Sequence, residues 1–313
     1  MRHFQDFSRL YAGNFRKWLN LHFYTKSDII YGMKTIFAYF CLFMFMVCHL
    51  GAIGAMELEF SGGVNNMTAQ TDQGEISVFD PNLFINGKIS FRGDISKAWG
   101  IGVNMERDNL FSNTLDIRLN TRADYFGFEF GLFTGMTDAF DGVDMGILGK
   151  MEIFWPKVLF LSLYGSSTIG SNFAFTASHS RESLGAQLGF WLPYIIPTLS
   201  VNIKSINRTA ENGDTIRDTL MRYQLSADVF DKTSPVSFRL DGGYQMYMRD
   251  FNENWYGLYS LFAGFDFQFN VSKSVRLIFG GEVPFMFEVY VPAASEEFWM
   301  FYKAYAGVLI RFF

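Results

Sequence analysis

The stretch Val236–Met248 reads VSFRLDGGYQMYM and alternates between two kinds of residue. Every second position is apolar, aromatic or glycine, whereas the positions between them include Arg239 and Asp241. Successive side chains of a β-strand point to opposite faces, so this pattern predicts a strand with one apolar and one charged face. The same pattern recurs in Leu83–Ile95 and Leu115–Tyr125. The sequence therefore predicts an all-β fold.

The length and composition of these segments favour a membrane-spanning sheet. They are longer than the roughly 5–6 residues of most strands in soluble proteins and long enough for the roughly 9–11 residues that cross a bilayer at a tilt. Aromatic residues make up 19% of the chain. Many of them lie near the ends of the apolar faces, where membrane barrels carry aromatic girdles. A soluble β-sandwich with one face in water is the alternative, because it shows the same alternation.

The alternation divides the chain into fourteen predicted strands, although twelve is an alternative count. They are 56–68, 82–95, 98–108, 114–125, 126–136, 145–155, 157–168, 182–193, 197–207, 219–230, 234–249, 255–270, 273–289 and 297–313. Short joins alternate with mostly longer, polar joins along this series. Outer-membrane barrels have an even number of strands, short periplasmic turns and long external loops. We therefore predict a closed, up-and-down antiparallel transmembrane β-barrel with both termini in the periplasm.

One long apolar run, Thr35–Ala55, precedes the strands. It follows Met33 and Lys34 and ends in Ala-Ile-Gly-Ala, which is the order of basic, apolar and small residues in a secretory signal peptide. We predict a signal peptide over 33–55, the barrel over 56–313, and residues 1–32 as a mis-assigned start or an extension. The alternative is an uncleaved transmembrane helix that follows a cytoplasmic extension with basic residues.

Cysteine and charge content exclude several classes of function. Both cysteines, Cys41 and Cys48, fall in the predicted signal peptide, so the predicted barrel has no thiol for a disulfide or a zinc site. A lipid anchor at Cys48 is an alternative, although Val47 stands where a small residue is favoured. The formal net charge is −5, and no cluster of Lys and Arg supplies the phosphate contacts of a nucleic-acid-binding protein. We expect no cofactor and no nucleic-acid partner.

The last predicted strand ends in AYAGVLIRFF, residues Ala304–Phe313. Together with the predicted signal peptide, the alternating strands and the cysteine-free region, this ending makes the chain resemble bacterial outer-membrane β-barrel proteins. The count of fourteen strands is similar to that of the monomeric porins. The resemblance implies the bacterial outer membrane, contact with its lipids, and insertion by the barrel-assembly machinery. One feature departs from that class, because the apolar alternation is in phase with Phe312 and not with the final Phe313.

The charged faces are predicted to point into the barrel, because a Lys or Arg facing lipid at the bilayer midplane costs about 2–4 kcal/mol. Fourteen strands are closer to the water-filled porins than to eight-stranded barrels, whose interior is filled by side chains. The wider inward set includes Glu182 and Glu288. The predicted pore lining consists of Lys88, Arg92, Asp94, Asp116, Arg118, Arg122, Glu129, Lys150, Glu152, Arg222, Arg239, Asp241, Asp266, Arg276 and Glu282.

These features predict a channel for passive diffusion of small hydrophilic solutes. Near-balanced lumen charge predicts weak ion selectivity, and acidic loops should favour cations slightly at the outer mouth. The acidic loop residues are Asp72, Glu75, Asp80, Asp138, Asp141, Asp144, Glu211, Asp214 and Asp218. The alternatives are a plugged barrel, surface adhesion through the loops, and uptake of a hydrophobic ligand along inward aromatic residues. Those aromatic residues are Phe133, Phe154, Phe160, Trp191, Phe262, Trp299 and Phe301.

No enzymatic activity is predicted. After residue 55 the chain has one histidine, His179, and its neighbours Ser178 and Ser180 would face away from it on a strand. A serine nucleophile needs its base within hydrogen-bond reach, so we predict a solvated loop histidine. Asp138–Asp144 carries three carboxylates but lacks the twelve-residue calcium loop that ends in Glu. We predict a solvated acidic loop there and no metal site.

Overall fold

A computed structural model describes residues 55–65, 68–72, 75–80, 84–108, 110–136, 143–171, 178–209, 213–230, 234–251, 254–290 and 303–312. The predictions for the signal peptide and for residues 1–32 therefore lie outside the described residues, apart from Ala55. Across the described ranges, no helix has the length and hydropathy needed to span a membrane.

The described residues form antiparallel strands throughout. They are β1 (Met56–Asn65), β2 (Thr68–Asp72), β3 (Glu75–Asp80), β4 (Phe84–Asp94), β5 (Trp99–Asp108), β6 (Ser112–Arg122), β7 (Phe126–Met136), β8 (Val143–Trp155), β9 (Leu159–Ser171), β10 (Ser178–Phe190), β11 (Ile195–Thr209), β12 (Thr215–Val229), β13 (Val236–Phe251), β14 (Asn254–Asn270), β15 (Val275–Tyr290) and β16 (Lys303–Phe312). β1 and β4–β16 pair with their neighbours in chain order, and β1 pairs with β16 to close a fourteen-stranded barrel. The predicted barrel of fourteen strands is confirmed, and the count of twelve is wrong.

The strands differ from the prediction mainly in the connections. The predicted strand 126–136 coincides with β7. The predicted loop 169–181 is strand at both of its ends, because β9 continues to Ser171 and β10 starts at Ser178. Polar residues also form backbone pairs between strands there, as Ser178 of β10 does with Thr209 of β11. Likewise, β2 and β3 form a separate hairpin inside a connection predicted as loop.

The two ends of the barrel differ, as the sequence indicates. We call the end that carries Met56 and Phe312 the terminal end and the opposite one the loop end. The terminal end has tight turns, in which the Ser96 and Ser272 hydroxyls accept backbone N–H bonds at 3.1 Å. Those described in full are 95–98, 123–125, 156–158, 191–194 and 271–274. The longest connections, 66–83 and 291–302, join strands at the loop end.

The outer face carries a band of exposed apolar side chains. On β11 the outward residues from Ile195 to Ile203 are apolar, and the next two, Ser205 and Asn207, are polar. Leu184, on the neighbouring strand β10, is 65% exposed. Exposed aromatic residues surround the terminal end, with Tyr125, Trp191 and Tyr194 in its turns and Trp155 at the end of β8. An apolar band with aromatic residues at its edge is the outer surface of a transmembrane barrel.

Glycines on the inner face allow rings from the next strand to lie flat against the wall. A Cβ added at Gly280 would overlap the ring of Tyr305, and one added at Gly185 would overlap the ring of Tyr164. Each glycine is the direct partner of its tyrosine in the strand register. These glycines therefore serve close packing of the wall.

Two acidic residues of the predicted inward set lie on the outer face. Glu182 is exposed, and it points outward because it follows Arg181, whose side chain points inward. It lies on β10 closer to the loop end than Leu184, the first outward apolar residue of that strand. Glu288 changes face because a register shift at Ser260 and Leu261 places it opposite Tyr259. A shift of one residue exchanges the two faces of a strand. Alternation alone predicts both residues wrongly.

The apolar outer band predicts that the effect of a substitution in β11 on the free energy of unfolding depends strongly on which face of the strand it lies. We expect Leu199→Arg, in the middle of the apolar band, to lower the free energy of unfolding by about 2–4 kcal/mol, because it places a cation in lipid. The matched change Ser200→Arg, whose side chain lines the interior, should alter it by much less. Urea unfolding of the barrel refolded in lipid bilayers measures both. Equal losses for the two variants would contradict the assigned faces.

Candidate functional site

A cavity of about 910 Å³ occupies the interior of the barrel along β1, β4, β5 and β11–β16. It is bordered by Arg276 and Arg311 near the terminal end and by Asp108 and Leu110 at the loop end. It therefore extends along the barrel axis. Of the predicted pore-lining residues, those that border it are Lys88, Arg92, Arg222, Asp241, Asp266, Arg276 and Glu282.

Most charges around this cavity have a partner of opposite charge or a polar partner. Lys88 Nζ lies 3.1 Å from a carboxylate oxygen of Glu59, and Arg311 Nε lies 2.8 Å from one of Glu57. Asp266 accepts a bond of 2.8 Å from the Tyr305 hydroxyl. Charges of both signs alternate along the wall, so the cavity has no single-sign surface.

A second group of charges lies on β4 and β6–β8, around Glu129. Its carboxylate has Arg92, Arg118 and Lys150 nitrogens at 3.8, 3.6 and 3.9 Å. Arg118 also makes two short bonds, of 2.6 and 2.8 Å, to Asp116. Asp116, Arg118, Glu129 and Lys150 thus form one connected network, which reaches Arg92 at the border of the cavity.

Three of the four remaining predicted residues have partners close by. Glu152 lies 2.6 Å from Lys150 Nζ. Arg239 makes two bonds, of 2.6 and 2.9 Å, to Asp228. The Arg122 guanidinium lies 4.5 Å from the centre of the Phe154 ring. Asp94 is exposed at the end of β4.

The connection between β5 and β6 folds into the barrel. The Asp108 carboxylate shapes this turn by accepting the backbone N–H groups of Leu110, at 2.8 Å, and Phe111. Its second oxygen lies 3.0 Å from Lys204 Nζ, well inside β11. Leu110 and Phe111 are buried. Because β5 and β11 are not neighbours in the barrel, this turn crosses the interior and narrows it at the loop end.

Two arginines of the facing strands hold the backbone of this turn. Arg181 Nε donates to the Phe111 carbonyl at 3.0 Å, and Arg208 donates to the Leu110 carbonyl at 3.4 Å. Arg181 pairs with the buried carboxylate of Asp144. The turn is therefore attached to β10 and β11 through both its side chain and its main chain.

Arg208 belongs to a buried cluster at the loop end. Asp218, 1% exposed, accepts two bonds from Arg249 at 2.6 and 2.9 Å. The same carboxylate accepts bonds from Arg208 at 2.7 Å and from the Tyr247 hydroxyl at 2.8 Å. Two cations share one carboxylate, and this cluster connects β11, β12 and β13.

Some predicted inward aromatic residues contact a cation, and others contact another aromatic ring. The Arg222 guanidinium lies 4.2 Å from the centre of the buried Phe262 ring. Phe160 packs 5.5 Å from Trp191, which is in a terminal-end turn. Trp299 and Phe301 lie outside the described residues. The rings that are described line no continuous apolar path through the cavity.

Three loop predictions are wrong. His179 is a buried residue of β10, 5% exposed, and not a solvated loop histidine. Asp144 and Asp218 are buried in ion pairs with arginines and do not form acidic loops. The reason is the same in each case, because the strands continue beyond the apolar band. Asp138 and Asp141 lie outside the described residues, and in the described ranges no three His, Cys, Asp or Glu side chains are grouped as metal ligands.

The predicted pore lining omits the residues that narrow the lumen. Asp108 and Arg181 are absent from the predicted pore lining, as is Arg208. The sequence offers one signal for the turn, since Asp108 is followed by only three residues before Ser112 starts the next strand. A short connection between two long strands at the loop end indicates a tight turn, but not the direction in which it folds.

The closed fourteen-stranded antiparallel barrel, with its apolar outer band and charged interior, has the architecture of bacterial outer-membrane β-barrel proteins. No protein-family model matches the sequence, and no curated protein matches it either.

Solved structures similar to the chain are barrels of the outer membrane. One is an outer-membrane channel from Pseudomonas putida F1, with 10% identity over 82% of this chain and 95% of the other, and a TM-score of 0.45. Another is an anion-selective porin from Comamonas acidovorans, with 11% identity, coverage of 83% and 99%, and a TM-score of 0.38. A third is the translocator domain of the autotransporter NalP from Neisseria meningitidis, with 8% identity, coverage of 83% and 88%, and a TM-score of 0.45. These similarities concern the fold.

The buried cluster predicts that Asp218 is far more important for stability than Asp228. Asp218→Ala leaves the buried Arg249 without its counter-charge and should cost about 3–5 kcal/mol. Asp228→Ala removes an equally bidentate pair whose side chains are 20% and 35% exposed, and it should cost about 1 kcal/mol or less. Urea unfolding in lipid bilayers measures the difference. Similar losses for both variants would contradict the assigned role of burial.

Proposed function

We propose that this barrel is an outer-membrane channel through which small hydrophilic solutes diffuse passively. The observation that supports it is the charge-lined cavity that extends from Arg276 and Arg311 to the Asp108–Phe111 turn. Water in such a cavity keeps charged side chains solvated at lower cost than an apolar filling would. A lumen of this kind suits solutes that bring their own hydration or hydrogen-bonding groups.

The proposed pore lining keeps the fifteen predicted residues, which carry charges of both signs. Those that border the cavity act on the solute directly, and those around Glu129 contribute the field of the opposite wall. Because Asp144 and Asp218 are paired with arginines, two of the acids expected to attract cations at the mouth are compensated. We therefore propose weak ion selectivity without a marked preference for cations.

The proposed location is the bacterial outer membrane, with the terminal end in the periplasm. Short periplasmic turns and longer external loops are the usual asymmetry of such barrels. We further propose export by a signal peptide over 33–55, contact with outer-membrane lipids, and insertion by the barrel-assembly machinery. No nucleic-acid partner, cofactor or enzymatic role is proposed.

The alternative functions have less support. A hydrophobic-ligand carrier needs an apolar path, yet Phe154 and Phe262 are covered by Arg122 and Arg222. An adhesin would act through the loops at the loop end, and the β2–β3 hairpin is the regular element described there. A measurement of conductance distinguishes a plugged barrel from an open channel.

Passive diffusion predicts stable ohmic single-channel steps from the refolded chain 56–313 in a planar bilayer. The charge balance predicts a small reversal potential in a salt gradient, because neither ion is strongly excluded. The control is the same preparation heated to unfold the barrel, which should give no steps. A folded barrel without conductance would reject the channel function and leave a plugged barrel or an adhesin.

The proposed export predicts removal of the first 55 residues. N-terminal sequencing of the protein recovered from outer membranes should begin at Met56, after the small residues Gly54 and Ala55. Replacing Ala55 by a bulky residue such as Trp should slow processing and leave a longer form in the inner membrane. Recovery of outer-membrane protein that still carries residues 1–32 would refute the assignment.

A further inference from the structure

Two ion pairs beside the cavity join strands that are not neighbours. Asp108 on β5 lies 3.0 Å from Lys204 on β11, and Glu282 on β15 lies 2.7 Å from Arg222 on β12. All four side chains border the cavity. In contrast, the pairs Lys88–Glu59 and Arg311–Glu57 join neighbouring strands and follow the wall. The first two pairs therefore cross part of the lumen.

The two cations stand together on one wall. The register pairs Lys204 with Leu220 and Asn202 with Arg222, so Lys204 and Arg222 are diagonal neighbours on the inner face, with Cα atoms about 7–8 Å apart. The two anions reach them from other sides, Asp108 from the inward turn and Glu282 from β15. The two cations therefore lie on one side of the cavity, and the two anions lie on the sides that face them.

Three members of this group, Asp108, Lys204 and Arg222, are held in place by a second contact. The backbone of the turn fixes Asp108, because its carboxylate accepts the N–H of Leu110. Lys204 Nζ lies 5.2 Å from the centre of the Phe111 ring, and Arg222 stacks on Phe262. Such contacts reduce the freedom of long side chains to move out of the path of a solute.

We propose that Asp108, Lys204, Arg222 and Glu282 form the selectivity filter of the channel, and that the solutes it favours are small zwitterions with a cationic and an anionic group. The inference rests on the proposed channel function. A solute that passes must separate or displace the two pairs, and a charge that loses its partner in a narrow, partly buried site is strongly destabilised. A zwitterion offers its carboxylate to Lys204 and Arg222 and its ammonium group to Asp108 or Glu282. A simple anion compensates only the charges of Lys204 and Arg222, and a neutral polyol compensates none of the four charges.

The first test is the direction in which neutral variants change ion selectivity. Lys204→Met leaves Asp108 uncompensated and should raise the ratio of K⁺ to Cl⁻ permeability by at least about twofold, whereas Asp108→Asn leaves Lys204 uncompensated and should lower it by a similar factor. Asp108→Asn retains an oxygen for the N–H groups of the turn. The double variant should restore the ratio of the unmodified channel and raise conductance, because the crossing pair is gone.

The second pair gives an independent version of the same test. Arg222→Met should shift the permeability ratio toward K⁺ and Glu282→Gln toward Cl⁻, so the sign can be read even where one variant of the first pair does not fold. Lys273→Met is the matched control, because Lys273 is exposed in the terminal-end turn 271–274 and does not border the cavity. Shifts no larger than that of the control would overturn the filter.

The second test addresses the solute. Osmotic swelling of proteoliposomes compares threonine, a zwitterion, with erythritol, a neutral polyol of similar size. We expect threonine to enter at least about twofold faster through the unmodified channel. We expect this preference to weaken in the double variant Asp108→Asn, Lys204→Met, which retains the Arg222–Glu282 pair. Equal rates in the unmodified channel would overturn the zwitterion preference. An unmodified barrel without conductance would reject the channel function and the filter together, whereas a conducting channel with unshifted variants would reject the filter alone.

Discussion

The pairing of β1 with β16 is the contact on which the rest of the structure depends. Inside a bilayer no water is available for backbone N–H and C=O groups, so a sheet that spans it can have no free edge. The register from Met56 opposite Phe312 to Asn65 opposite Lys303 closes that edge. Once the sheet is closed, alternation separates every strand into one face toward lipid and one toward the lumen.

Closure creates the second constraint, since charges confined to the lumen need partners. The structure meets it with ion pairs along the wall, a network around Glu129 and a buried cluster around Asp218. The Asp108–Phe111 turn uses the same chemistry to bind the facing strands through Lys204, Arg181 and Arg208. The interactions that stabilise the interior therefore also define the width and the charge of the path that a solute would follow.

Alternation proved a reliable guide wherever a strand is regular and crosses the apolar band. It placed Arg239 and Asp241 on one face of β13 and reproduced β7 without change. It failed at the loop end, where His179 and Asp144 lie on strands that the sequence assigned to loops. It also failed at Glu288, which follows a register shift. Beyond the bilayer both faces of a strand can be polar, so the apolar signal that marks a strand disappears.

The sequence by itself determined the all-β class, the number of barrel strands, their antiparallel order and the face of most charged residues. These properties depend on residues two positions apart and on the cost of placing charge in lipid, and both are local in the chain. Only the tertiary structure decided that the β5–β6 turn folds inward and that Asp108 meets Lys204, or Glu282 meets Arg222. Those contacts join strands on different sides of a closed barrel, and their geometry depends on strand register and barrel curvature, which no local pattern specifies.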